Sequence, residues 1–442
     1  MGWNETKAVS RSLVVSTLVA AYTDVFLMLV LAPLIPVYLK ANGWSPSQAA
    51  ALFTADAAVT LVLAPFVVPL LRWVGLRRVV CLAPLLPMLV CTSLGTIGSN
   101  LPFSLLMLLR SVQGVASTIS GVTIASSQAI AVPPELQNRA GSMVSIANSC
   151  GALSGLGCAS LAMGSTGNVS YAWFVAALVT CVDLLCRTYA GYYMADELHL
   201  YTEALTAEQS RRPGLRARVA RGVSLLRNPK VGTTVVMLTC MILSDNGLTS
   251  LTPSLAVDNV NFTAQQAGFS MTLSLVFVIG ASGAFALLAE RVAPPSVVSF
   301  TVLCCTLSCL SSIVLFSGVQ LTKTTFTVLL CIDSVLRTPV ILFLYPHAVR
   351  LVLDSNNGIS DIGTLFPVAN KLGSLVGPAV ASATFAESTS YVSVAIVLCS
   401  ASFLSIVAFV GAHLFCRRRT ITQELLWNPS VDELEEAEMS ST

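Results

Sequence analysis

Charge is what this sequence has least of: Asp, Glu, Lys and Arg make up 10% of its 442 residues, and histidine occurs three times. A water-soluble domain commonly carries about a quarter of its residues charged. With 55% hydrophobic residues and a mean hydropathy of +0.78, the chain has lipid as its main solvent. The net charge is +2, and no Lys/Arg cluster of the kind that binds nucleic acid stands on a folded domain. The thirteen cysteines, among them Cys81, Cys91, Cys240, Cys304, Cys305 and Cys399, are scattered through apolar runs. They share no metal-ligand spacing with histidine and read as small packing residues, so neither metal nor cofactor is expected. The sequence has no P-loop, no nucleophile elbow and no catalytic carboxylate pair on a soluble domain; enzyme activity and ATP drive are not expected. The first apolar run, from Leu13, is too long for the core of a cleavable signal peptide.

What is present is a succession of long apolar runs. A helix needs about 20 apolar residues to cross a bilayer. Spans of that kind lie near 12–39, 48–71, 79–98, 101–131, 140–163 and 170–193, and again near 231–257, 264–289, 296–318, 324–352, 360–384 and 389–416. The expectation is an all-α membrane protein of twelve transmembrane helices in two sets of six. Residues 1–11 form a cytosolic N-terminus, 12–193 and 231–416 two six-helix bundles, 194–230 a cytosolic linker, and 417–442 an acidic cytosolic tail. The linker holds Arg211, Arg212, Arg216, Arg218, Arg221, Arg227 and Lys230, and its basic amphipathic part suits a membrane surface. Both termini are placed in the cytosol by the basic residues. The inner loops then carry Arg72, Arg77, Arg78, Arg139, Arg291 and Arg350, and the outer loops keep Lys40 and Lys323. The sequons at Asn168 and Asn261 fall on the outer side. Vesicle, vacuole and plasma membrane all remain open.

The two sets echo each other. Gly141, Ala147, Asn148, Gly151, Leu153 and Gly155 of the fifth span recur as Gly363, Ala369, Asn370, Gly373, Leu375 and Gly377 of the eleventh, always 222 positions on. Asp24 precedes Pro33 much as Asp245 precedes Pro253. Small residues let helix backbones approach closely, which helices that rock between two packings require.

Specific residues carry a family resemblance. Arg110-Ser111-Val112-Gln113-Gly114 in the fourth span resembles the R-x-x-Q-G signature of the drug/proton antiporters of the major facilitator superfamily. The first span, Asp24 through Pro33 and Pro36, is similar to that of the vesicular monoamine and acetylcholine transporters. Ala64-Pro65-Phe66 and Leu372-Gly373 through Gly377-Pro378 resemble the same family. The resemblance implies the major facilitator fold and proton-coupled antiport, with Gln113, Gly114, Gly155, Gly377 and Pro378 as structural motif positions. Departures are equally plain. Val68 to Arg78 lacks the leading Gly and the acid of the family's loop motif, Cys158 follows Gly157 in place of the Pro that the family's motif suggests, the first outer loop is short, and Thr252 replaces the Glu expected before Pro253. The last change puts classical monoamine selectivity in question.

A charge at mid-membrane costs roughly 2.5–3.5 kcal/mol on insertion scales, so Asp24, Asp56, Arg110, Asp183, Asp245, Asp333, Arg337 and Lys371 each invite a reason. Asp24, Asp245 and Asp333 are the candidate substrate-binding residues; for Asp24 the resemblance implies contact with a cationic amine. Asp56, Lys371, Arg110 and Arg337 are the candidates for proton coupling and gating. Where the vesicular amine family carries Lys in the second span and an acid in the eleventh, this chain carries Asp56 and Lys371, about one turn off register; the expectation is a bridge of reversed polarity. Asp333 and Arg337 stand four apart in the acid-first order that favours a helix pair. Asp183 receives no role, and His347 and His413 are read as packing or interfacial. Expected partners are a small molecule, protons and the bilayer, for a monomer. The leading expectation is proton-coupled antiport of a small organic cation by alternating access. A broad drug exporter, a facilitator or symporter of a neutral or anionic solute, and a non-transporting sensor or receptor remain alternatives.

Overall fold

Backbone polar groups in lipid must be satisfied within the chain, and a helix does this inside one segment. Every regular element among the described residues of the computed structural model is accordingly a helix. Those residues are 3–31, 34, 38, 42–43, 46–99, 101–131, 137–166, 168–193, 223–292, 294–317, 321–353, 359–388 and 390–427. The first half consists of α1 (Trp3–Val30), α2 (Pro46–Val74), α3 (Leu76–Leu82), α4 (Leu85–Ile97), α5 (Phe103–Ala131), α6 (Gln137–Thr166) and α7 (Val169–Tyr193). The second consists of α8 (Pro229–Val260), α9 (Ala264–Arg291), α10 (Pro294–Phe316), α11 (Lys323–Leu353), α12 (Ile359–Ser388) and α13 (Tyr391–Trp427). Nine stretches among the described residues are long and apolar enough to cross a membrane, and shorter apolar helices cover Val14–Val30 and Thr54–Ala64.

The boundaries differ from the sequence expectation in readable ways. The span at 79–98 is two helices, α3 and α4, separated at Ala83 and Pro84, because proline has no N–H to continue the ladder. Gly75, at φ 91, makes the turn from α2 into α3, a conformation open to glycine. The last helix runs to Trp427 rather than ending near 416. Pro33 and Pro36, Arg211 to Arg221 of the linker, and the acidic tail from 428 lie outside the described residues.

Each half has its own core. Phe26, Leu31, Leu94 and Trp173 anchor the first, where the Trp173 indole donates to the Tyr38 hydroxyl at 2.8 Å. Val231, Phe316, Phe326 and Phe409 anchor the second. Large apolar side chains such as Phe66, Leu161, Leu178, Phe269 and Leu404 point outward, the arrangement of a lipid-facing surface.

The repeated glycines explain how the cores close. A Cβ added to Gly155 of α6 would lie 2.6 Å from the Phe26 carbonyl oxygen of α1, and one on Gly151 would strike the Tyr22 carbonyl. In the second half a Cβ on Gly373 of α12 would lie 2.7 Å from the Thr239 carbonyl oxygen of α8, and one on Gly377 would strike Leu243. The same backbone-to-backbone seam thus occurs twice. We expect Gly377→Val to destabilise the protein by about 1–3 kcal/mol through overpacking, read as a lower thermal midpoint in detergent; an unchanged midpoint would mean that the seam yields.

The halves meet where α6 packs on α9 and α11, and α12 packs on α2 and α5. With α3 and α4 counted as one passage and successive passages running in opposite directions, α1 begins and α13 ends on one side, the terminal side. The following contacts between the halves lie in the middle or terminal-side parts of their helices. Ser145 of α6 meets Ser282 of α9 at 3.2 Å. Gly141 sits against Leu342 and Pro346 of α11. Val368 of α12 packs against a first-half cluster that includes Ala64, Val67, Ile119 and Val122.

Candidate functional site

Two polar clusters lie inside these helices, one in each half. In the first half, the R-x-x-Q-G run places Arg110 on the buried face of α5, where only 1% of it is exposed. Its guanidinium donates to Gln113 Oε1 one turn on. Gly114, the next residue, is tight against α2: a Cβ there would lie 3.0 Å from the Asp56 Cα and 3.2 Å from its Oδ1. The motif therefore has a local purpose, since glycine lets the Asp56 carboxylate come up to α5 near Arg110.

Asp56 has a second cation, and it comes from the other half. Lys371 of α12 forms an ion pair with Asp56 Oδ2 and donates to Ser117 of α5 at 3.1 Å. Ser117 also neighbours Asp24 on α1. Asp24 has no cation within ion-pairing distance among the described residues. Two buried atoms of this cluster, Asp56 Oδ1 and Arg110 Nε, have no hydrogen-bond partner there.

Asp24 lines a narrow cavity within the first half, together with Thr23, Gln113, Ser117, Ser120, Asp183 and Arg187. At its other end Asp183 takes a two-pronged grip from Arg187, Nε to Oδ1 at 2.7 Å and Nη2 to Oδ2 at 2.8 Å, while Arg187 Nη1 reaches Ser120 at 2.9 Å. The sequence reading gave Asp183 no partner and passed over Arg187; acid and base four residues apart on α7 were the available signal.

In the second half Asp333 of α11 is 4% exposed. Its Oδ1 accepts from Ser308, Ser311 and Ser312 of α10 at 2.9, 2.7 and 2.9 Å, and its Oδ2 pairs with Arg337 at 2.6 Å. Arg337 is bound on every side: it donates to Ser308 at 3.2 Å and Ser312 at 2.7 Å, and its Nη1 pairs with Asp245 of α8. Asp333 therefore holds Arg337 from behind. Asp245 stands in front, its side chain 39% exposed. The three serines, spaced to share one face of α10, were not singled out in the sequence. Thr252 turns back onto its own helix, its hydroxyl donating to the Leu248 carbonyl at 2.9 Å.

His347 and His413 touch through their Nε2 atoms at 3.0 Å, with His413 Nδ1 2.9 Å from the Phe409 carbonyl. If that Nδ1 bears the proton given to the carbonyl, His347 Nε2–H donates to His413.

Against known proteins, residues 14–350 match the Major Facilitator Superfamily. Among solved structures, the fold superposes on that of the human organic anion transporter MFSD10 (TETRAN) with a TM-score of 0.68 and 17% sequence identity, over 90% of this chain and 99% of that one. No curated protein matches the sequence.

Proposed function

This chain belongs to the major facilitator superfamily and is a membrane transporter, and from that premise we propose that it exchanges a small organic cation for protons by alternating access. The observation that carries the reading is the charge balance of the second-half cluster. Asp245 and Asp333 face one base, Arg337, and Lys371 is engaged on the other half. The cluster holds one acid in excess, and Asp245 is the member with open surface. A cation arriving between the halves meets an attractive carboxylate whose position Arg337 fixes. Asp24, which has no ion pair among the described residues, is the acid that takes up the exchanged proton; Asp56, Lys371 and Arg110 surround it, and Asp333 acts through Arg337.

Arg337 and Lys371 are held by carboxylates, so an anion anchored on either would have to displace an acid first, and the third cation, Arg110, is only 1% exposed. The solved neighbour is described as an organic anion transporter, but at 17% identity the likeness reaches the fold alone.

The test is uptake of labelled organic cations into proteoliposomes with an acid interior. Gradient-driven uptake is expected in wild type. It should fall by about tenfold or more in Asp245→Asn, since losing one charged contact of about 1.5 kcal/mol or more changes a rate by that factor, and it should lose its dependence on the gradient in Asp24→Asn, whose amide takes up no proton. Folded wild-type protein that takes up organic anions and no cation would sink the proposal.

A further inference from the structure

We infer that Lys371 is a built-in cation that takes the place of a proton on the Asp24–Asp56 pair when the terminal side is closed, so that opening that side obliges the first half to bind one. This deepens the antiport reading of the same site and rests on it for the identity of the coupling ion.

The inference starts from the charges that face the pair, counted by helix. Asp24 comes from α1, Asp56 from α2, Arg110 from α5, and Asp183 and Arg187 from α7; Lys371 alone comes from α12. The Cys91 thiol of α4 lies near Arg110. Asp183 and Arg187 satisfy each other through two hydrogen bonds, which leaves Asp24 and Asp56 against Arg110 and Lys371. The group is neutral only while Lys371 is in place.

Lys371 belongs to the half that moves away. It reaches Asp56 and Ser117 across the seam where α12 packs on α2 and α5, which is also where Val368 seals the terminal side. When that side opens, α12 withdraws and the ammonium goes with it. Two carboxylates then share Arg110, in a setting where an uncompensated buried charge is strongly disfavoured. The missing charge has places to arrive. Asp56 Oδ1 is buried without a partner, and Asp24 has a hydroxyl-lined cavity beside it. A single proton bound by the pair restores neutrality, and closing the side with Lys371 in its seat expels that proton. Proton and lysine exclude each other, which couples proton movement to the swing of the halves.

The sign follows from linkage. The opened state binds one more proton than the closed state, so acid favours opening of the terminal side, and the opened-to-closed ratio rises by up to about tenfold per pH unit. The experiment needs no substrate. Spectroscopic labels carried by unnatural amino acids replace the exposed Trp73 of α2 and Arg291 of α9, near the terminal side of the two halves, and their distance is followed against pH in lipid nanodiscs. Wild type and Lys371→Arg should lengthen that distance on acidification. Asp24→Asn should show no pH response, because the opened state is then neutral unaided. Lys371→Gln should show none either, because both states carry the same charge, and the near-isosteric double variant Asp24→Asn/Lys371→Gln guards against misfolding of either single one. A wild-type distance that ignores pH overturns the inference, as do variants that respond like wild type. Sodium opening the side at fixed pH would overturn the assignment to a proton. If the pH response holds and cation uptake fails, the coupling device stands and the cation reading falls.

Discussion

Arg337→Met is expected to abolish gradient-driven transport and to lower stability by about 3–5 kcal/mol, the cost of leaving a buried charge without its partner. The reason lies in the arrangement around the guanidinium. Asp333 and Asp245 sit on either side of it, and Ser308 and Ser312 accept from it as well. Removing the guanidinium leaves two acids facing each other across the space it filled. Arg337→Lys keeps the charge but loses the planar fork that reaches several acceptors at once, so its stability should fall between wild type and Arg337→Met. Asp333→Asn in the Arg337→Met background should recover part of the loss, because the two sites share one network and do not add. Thermal unfolding in detergent, alongside uptake, reads all three. An Arg337→Met protein as stable as wild type would show that the cluster is hydrated enough to do without its base.

The second large effect is expected at the pair joining the halves. Asp56→Lys places a third cation beside Arg110 and Lys371, and Lys371→Asp adds an acid to Asp24 and Asp56; each alone should cost about 3–5 kcal/mol and stop transport. The double variant Asp56→Lys/Lys371→Asp rebuilds the bridge with opposite polarity. It should restore more than half of the lost stability and part of the transport, with a double-mutant coupling of about 1–3 kcal/mol. Gradient dependence should stay weak, because the group left in the first half after opening would then carry an excess base and no longer require a proton. Additive losses in a well-expressed double variant would show that the two residues do not act as a pair.

Much of the fold could be read from hydropathy, because a helix in lipid must be apolar along its whole length and has no rival structure there. The glycine repeat was legible for a related reason: close backbone contact admits one residue type, so Gly151, Gly155, Gly373 and Gly377 stand out against Ala and Ser. The inner break at Ala83 and Pro84 was missed because hydropathy does not register a lost hydrogen bond. The polar clusters were only partly legible. Mid-membrane Asp, Arg and Lys draw attention by their cost, yet a serine costs little and is common, so Ser117, Ser308, Ser311 and Ser312 passed unnoticed until the helices set them on the carboxylates. Orientation within a helix was equally hidden. Asp245 and Asp333 look alike in the sequence, whereas one stands half open and the other is enclosed by three hydroxyls.

The doubled glycine seam also bears on how such a molecule can change over generations. The two halves match in the backbone contacts α1–α6 and α8–α12 while their charges differ. One half holds a balanced group completed by a lysine from its neighbour, and the other keeps an acid in excess. Each seam rests on glycine against backbone and one polar pair, Tyr22–Ser154 in the first half and Asn246–Ser374 in the second, while Asp245 pairs with α11 instead. A change at Asp245 is therefore expected to leave the seam packing undisturbed.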